Sequence, residues 1–318
     1  MTQDTLRTPC FGPLDEGDIV GPMPNAPLFG QVLTAMVSPM NPDGSLDLDG
    51  AQELAVHLVD QGHDGLVVNG TTGESPTTTD AEKVELVRVV VEAVGHRAHI
   101  IGGAGSNNTA DSVERARAAE KAGAQGLLVV TPYYNKPPQE GVLAHFTAVA
   151  DATDLPVMVY DIPGRAGIPI HTQTLLRLAE HPRIVAVKDA KGDLFAASEV
   201  MSKTDLQWYS GDDLLNLAHL TQGASGIVSV VGHVAGPQYV EMVAAVGQGN
   251  LARAIEIHRQ LIPAVSAVMT ITQGAIAVKA ALHHRGLIAS DAVRLPLIAA
   301  TSDQLARVRE GLEQSGLN

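Results

Sequence analysis

From residue 29 onward, short apolar runs rich in Val, Ile and Leu alternate with longer amphipathic stretches. The runs at 31–37, 65–69, 99–102, 126–130, 156–160, 184–188, 207–210 and 224–229 read as strands. Between them, apolar residues recur at helical spacing over 49–61, 80–94, 111–122, 140–152 and 172–181. Strands that alternate with helices imply parallel βαβ units, and eight such units close an α/β (β/α)8 TIM barrel. A doubly wound open sheet is the rival, and it usually carries a glycine-rich nucleotide turn after an early strand. The cluster Gly102-Gly103-Ala104-Gly105 lacks that spacing, so the pattern favours the barrel.

After residue 229 the periodicity predicts helices over 237–248, 252–268, 275–284 and 302–313. Only one is needed to complete the barrel, so the others are expected to form a C-terminal helical appendage. Residues 1–28 hold scattered Pro, Gly and acids without period and are expected to be a poorly ordered N-terminal extension. The expected division is therefore 1–28 extension, 29–245 barrel and 246–318 helical region.

Composition narrows the function. The 318 residues are 45% hydrophobic and 18% charged, which suits a globular chain and not a disordered one. Against 21 Lys and Arg stand 35 Asp and Glu, a net charge of −14 that repels phosphate backbones and argues against nucleic acid as a partner. The single cysteine, Cys10, excludes an intramolecular disulfide. No apolar run reaches the length of a membrane span, and the first residues lack a charged-then-apolar signal. A cytoplasmic protein that binds neither membrane nor nucleic acid is expected.

Barrel sites lie at the carboxyl ends of the strands, so the residues after each strand carry the candidate chemistry. Strand two runs into Asn69-Gly70-Thr71-Thr72-Gly73-Glu74-Ser75, where backbone N–H groups and hydroxyls suit a carboxylate; an ordinary turn is the alternative. Strand four is followed by Tyr133 and Tyr134 in a Pro-bounded loop, suited to proton exchange or equally to surface packing. Alternation in strand five puts Pro156, Met158 and Tyr160 on one face, and Arg165 follows as a planar donor for a carboxylate or for a surface ion pair. Of seven lysines, only Lys188 ends an apolar strand, with Ile184 and Ala186 on its face. A lysine in a dry barrel should lose basicity and become a nucleophile, unless Asp189 or Asp161 pairs with it. After strand seven, Asp212 or Asp213 reads as the N-cap of the next helix, with metal binding by the pair as the alternative. No metal site is expected: the 12 histidines show no ligand spacing, and His283 and His284 point about 100° apart on a helix.

Taken together, GTTGES at 70–75, YYNKPPQEG at 133–141, YDIPGR at 160–165, VKDAKGD at 187–193 and SGDD at 210–213 resemble, in order, the dihydrodipicolinate synthase family. That family sits among the pyruvate-dependent class I aldolases that include N-acetylneuraminate lyase. The resemblance runs from about residue 29 to the end of the chain. It implies a lyase that condenses pyruvate with L-aspartate-4-semialdehyde through a Schiff base on Lys188. The product is 4-hydroxy-tetrahydrodipicolinate, made in the first committed step of diaminopimelate and lysine biosynthesis. It implies no cofactor beyond the covalent imine. Tyr160 would transfer protons, Thr72 would link it to Tyr134, and Tyr134 would enter the neighbouring subunit's site. Thr71 and Thr72 would hold the pyruvate carboxylate, Arg165 the carboxylate of the aldehyde, and Gly211 and Val228 would line the pocket. A homotetramer made as a dimer of dimers is expected.

Arg165 and the second Thr of GTTGES favour the amino-acid aldehyde over a 2-keto-3-deoxy sugar acid or N-acetylneuraminate. A barrel that only senses pyruvate or lysine would lack Lys188, Tyr160 or Arg165, and all three are present. Two departures matter. Asp161 stands where many members have Asn, and is expected to add negative charge near Lys188 and raise its pKa. At the family's lysine-feedback site, Ser75, Asn107 and Tyr133 match, but Asp80 and Lys83 replace histidines, so inhibition by lysine is expected to be weak or absent.

Overall fold

The computed structural model describes residues 27–317. The expected extension lies outside them save for its last two residues, and so does Cys10. Eight parallel strands, β1 (Val32–Ala35), β2 (Gly65–Val68), β3 (His99–Gly103), β4 (Gly126–Val130), β5 (Val157–Asp161), β6 (Ile184–Asp189), β7 (Gln207–Ser210) and β8 (Gly226–Ser229), pair in sequence order. β8 then pairs with β1, which closes the barrel. Helices α1 (Leu48–Asp60), α2 (Asp80–Val94), α3 (Thr109–Lys121), α4 (Gln139–Ala150), α5 (Pro163–Ala166), α6 (Thr172–Leu178), α7 (Leu194–Met201) and α8 (Asn216–Thr221) follow β1 to β7. α9 (Gly232–Gly247) follows β8; α10 (Leu251–Thr270) and α11 (Gly274–His284) pack against it, and α12 (Ser302–Gln314) packs against α10 and α11.

Alternation along the strands sorts the core into two shells. Leu33, Ala35, Val67, Ile101, Leu128, Met158, Ala186 and Val228 fill the barrel interior, with Phe29 and Tyr209 beside them. The opposite faces, such as Val32, Leu66, Ile100, Val157 and Val187, pack under the helices in a second and larger cluster. Sequence signals mark the helix ends: Thr79 and Glu82 form a capping box on α2, and Thr301 and Gln304 do the same on α12.

Three expectations change. Ile184 does not share a face with Ala186 and Lys188. The β5–β6 register slips between Val157 and Met158, so Ile184 joins the outer shell while Ala186 stays inside. The helix expected over 237–248 begins earlier, at Gly232; Pro237 sits in the first turn after a break at Ala235, where the proline ring is tolerated. The short helices α5, α7 and α8 escape the periodicity because 4 to 8 residues are too few to show it.

Candidate active site

β5 and β6 set Tyr160 beside Lys188, in register across the ladder. The Lys188 Nζ lies 4.3 Å from the centroid of the Tyr160 ring. Both side chains are buried. Burial pulls the Lys188 amine down to about 8; Arg165 pushes the same way and Asp213 opposes it. Burial also pushes the Tyr160 phenol up to about 12, so at neutral pH it holds its proton and can donate it. A Cβ at position 211 would stand 2.7 Å from Lys188 Cγ and 2.9 Å from Cε. Gly211 therefore leaves the space that the lysine stem occupies.

The structure removes both proposed partners of Lys188. Asp161 and Asp189 follow Tyr160 and Lys188 in sequence, so their side chains leave on the outer face of the barrel. Asp161 accepts from Ile170 N (3.2 Å) and lies 3.8 Å from Lys191. Asp189 accepts from Lys191 N (2.7 Å) and lies 3.9 Å from His219. Asp161 therefore does not raise the Lys188 pKa; the carboxylate that acts on the amine is Asp213. Burial instead pushes Asp161 itself up to about 7. Among the described residues, Lys188 makes no ion pair and no side-chain hydrogen bond.

Neither Asp212 nor Asp213 caps α8, whose N-cap is Leu215. Asp213 is buried and accepts from Asn216 Nδ2 (2.8 Å), Ser229 Oγ, Val230 N (2.7 Å) and Val231 N (3.0 Å). It ties the end of β7 to the end of β8, which spacing alone does not reveal.

Above the lysine, the loops after β2, β4 and β5 surround an open cavity of about 890 Å³, lined by Thr71, Ser75, Tyr133, Tyr134 and Arg165 among others. Among the described residues, the non-glycine residues with left-handed backbone, Asn69, Glu74, Tyr134 and Lys136, lie in the β2 and β4 loops. Such strain clusters where a site needs a particular shape. Tyr134 is 87% exposed. Thr72, next to the cavity-lining Thr71, is buried, and within one chain no hydrogen bond joins it to Tyr160 or Tyr134. Asn107 lies near the same rim, its carbonyl accepting from Asn135 Nδ2 (3.0 Å). Val228 faces the barrel interior.

These features match a known pattern along the whole barrel. The model of the dihydrodipicolinate synthetase family fits residues 28–315. The chain belongs to this family. It is 61% identical over 289 residues to the 4-hydroxy-tetrahydrodipicolinate synthase of Kineococcus radiotolerans, covering 91% of this chain and 94% of that one. A crystal structure of the Cyanidioschyzon merolae enzyme with lysine bound superposes with a TM-score of 0.88 at 42% identity, over 91% of this chain and 99% of that one. The chloride-inhibited dihydrodipicolinate synthase of Acinetobacter baumannii, complexed with pyruvate, gives 0.88 at 33% identity, over 91% and 100%. The relatives favour the synthase reading over the sugar-acid aldolases.

Sequence reasoning missed one part of the site's frame. Glu74, inside GTTGES, is buried and bonded to Lys279 of α11 and to Arg294. A lysine in the apolar run Ala275-Ile276-Ala277-Val278-Lys279-Ala280-Ala281-Leu282 was the available signal. Among the described residues no group of three or more His, Cys, Asp or Glu side chains is arranged to hold a metal ion. Likewise, no single helix is long and apolar enough to cross a membrane.

Proposed function

We infer that this chain condenses pyruvate with L-aspartate-4-semialdehyde to give 4-hydroxy-tetrahydrodipicolinate, as a lyase of the class I aldolase type. The observation that carries the chemistry is Lys188, a buried amine without a carboxylate partner, lowered to about 8 and set against Tyr160. The free amine attacks the ketone carbon of pyruvate, and water leaves to give a protonated imine. The imine nitrogen withdraws electrons, a methyl proton departs, and an enamine forms. Its carbon attacks the aldehyde, and the aldehyde oxygen takes a proton. The amine of the semialdehyde then adds to the imine carbon, closes the ring and releases Lys188.

Tyr160, with its raised phenol pKa, supplies the protons. Thr71 and Thr72 hold the pyruvate carboxylate, and Thr72 relays protons between Tyr160 and Tyr134. Arg165, at the cavity rim, grips the carboxylate of the aldehyde. Gly211 and Val228 line the pocket floor. The exposure of Tyr134 supports its entry into a neighbouring subunit's site, in a homotetramer built as a dimer of dimers. The covalent Lys188–pyruvate imine is the only cofactor-like group, and the enzyme works in the cytoplasm.

The test mixes the protein with pyruvate, L-aspartate-4-semialdehyde, NADPH and dihydrodipicolinate reductase. NADPH loss that requires every component is expected. No loss with active reductase would overturn the reading.

At the effector position of regulated family members, Ser75, Asn107 and Tyr133 stand with Asp80 and Lys83. The Lys83 amine donates to Thr78 O and lies 3.6 Å from Asp80. A cation already there disfavours the second cation of bound lysine, so a lysine titration should leave the rate nearly unchanged. Strong inhibition at sub-millimolar lysine would refute this.

A further inference from the structure

We propose that the buried ion pair between Glu74 and Lys279 is a positioning element for the pyruvate-carboxylate loop, so that the helical appendage sets pyruvate affinity. The inference rests on the function proposed above, in which Thr71 and Thr72 hold that carboxylate.

Glu74 lies two residues after Thr72 and is held in left-handed backbone, at φ 56°. Only 2% of it is exposed, and both of its carboxylate oxygens are used. Oε1 takes Lys279 Nζ at 2.5 Å, from 205 residues away in α11. Oε2 takes the Arg294 N–H at 2.9 Å. Lys279 is fully buried and spends a second proton on Ala292 O (2.8 Å). Arg294 then reaches along the loop with its guanidinium to Thr77 O (2.8 Å), Gly44 O (2.9 Å) and Glu82.

The loop's own bonds are local: Glu74 N to Thr71 O (3.1 Å) and Ser75 N to Gly70 O (3.3 Å). From the first strand's loop it receives Ser38 Oγ on Gly73 O (2.7 Å). Lys279 and Arg294 are thus its anchors from the appendage, and they hold a residue kept in left-handed backbone. An apolar pair would fill this seam without desolvating two charges. A directional ion pair instead fixes where the loop, and the threonines within it, stand.

The experiment measures borohydride trapping of pyruvate on Lys188 against pyruvate concentration, with Tm as a check on folding. Wild type, Lys279→Met, Glu74→Gln and the double variant are compared. Each single variant should raise the half-saturating pyruvate about tenfold, the scale of a small misplacement of binding groups. Trapping at saturating pyruvate and the KM for the aldehyde should stay near wild type.

The double variant decides between positioning and packing. It removes the lone buried charge, so its Tm should recover above that of the single variants while its half-saturating pyruvate stays high. Recovery of both to wild-type values would mean the pair is only packing, and would overturn the inference. Should the double variant not fold, the two single variants supply the answer: half-saturating pyruvate unchanged in both Lys279→Met and Glu74→Gln would overturn the inference. A wild type that traps no pyruvate would instead refute the proposed function, and this inference with it.

Discussion

Two lysines of this protein are sunk in apolar surroundings, and the two regions use them in opposite ways. Inside the barrel, Lys188 projects from β6 beside Tyr160 with no carboxylate paired to it, and burial leaves its amine at about 8. In the helical appendage, Lys279 projects from α11 onto Glu74. Burial pulls its pKa down as well, but the Glu74 carboxylate opposes that fall. The same side chain under the same desolvation becomes a nucleophile where charge is unsupported, and a structural tie where a carboxylate meets it. Burial alone does not distinguish the two roles; the partner does.

Stability should separate the two lysines by sign. Removing one partner of a buried pair costs about 3–5 kcal/mol, so Lys279→Met should lower Tm sharply. Lys188 has the opposite linkage. Its folded pKa lies below its unfolded value, so protonation at neutral pH opposes folding. That penalty builds as pH falls from the unfolded value to about 8 and stays constant below. Lys188→Met should therefore leave Tm unchanged or raise stability by up to about 3 kcal/mol at pH 7 while abolishing pyruvate trapping. Thermal melts and mass spectrometry after borohydride treatment test both. A large loss of Tm in Lys188→Met, or an adduct on another lysine, would break the contrast.

Tyr134→Phe sharpens it on the chemical side. Turnover should fall about 10–100-fold, the usual worth of a proton-transfer group, while trapping of pyruvate on Lys188 persists. An unchanged rate would remove the hydroxyl relay.

The smallest effect is pH dependence. With the amine at about 8, the rate of imine formation should rise about tenfold between pH 7 and pH 9 and then level off. A rise that continues toward 10.5 would mean that Lys188 titrates like an exposed lysine.

Much of the architecture was legible because its causes are local. Alternating apolar runs and amphipathic stretches exposed all eight strands and the long helices. Lys188 and Tyr160 were legible because each closes an apolar strand at the barrel's carboxyl end, whereas Gly211 was marked only by the family resemblance. Asp161 and Asp189 stayed open as alternative partners of Lys188, although the alternation that put Lys188 inside already sent them outside. Ile184 was misplaced because one slip in register between β5 and β6 leaves no mark in composition.

The sequence by itself determined the barrel, the lysine at its mouth and the loop that follows β2, since period, length and motif act over a few residues. Only the tertiary structure decided which carboxylate meets which cation. Asp213 turned out to tie β7 to β8, and Glu74 to meet a lysine 205 residues away. Such pairings depend on closure of the barrel and docking of the appendage, and their energies arise only once water has been excluded from between the charges.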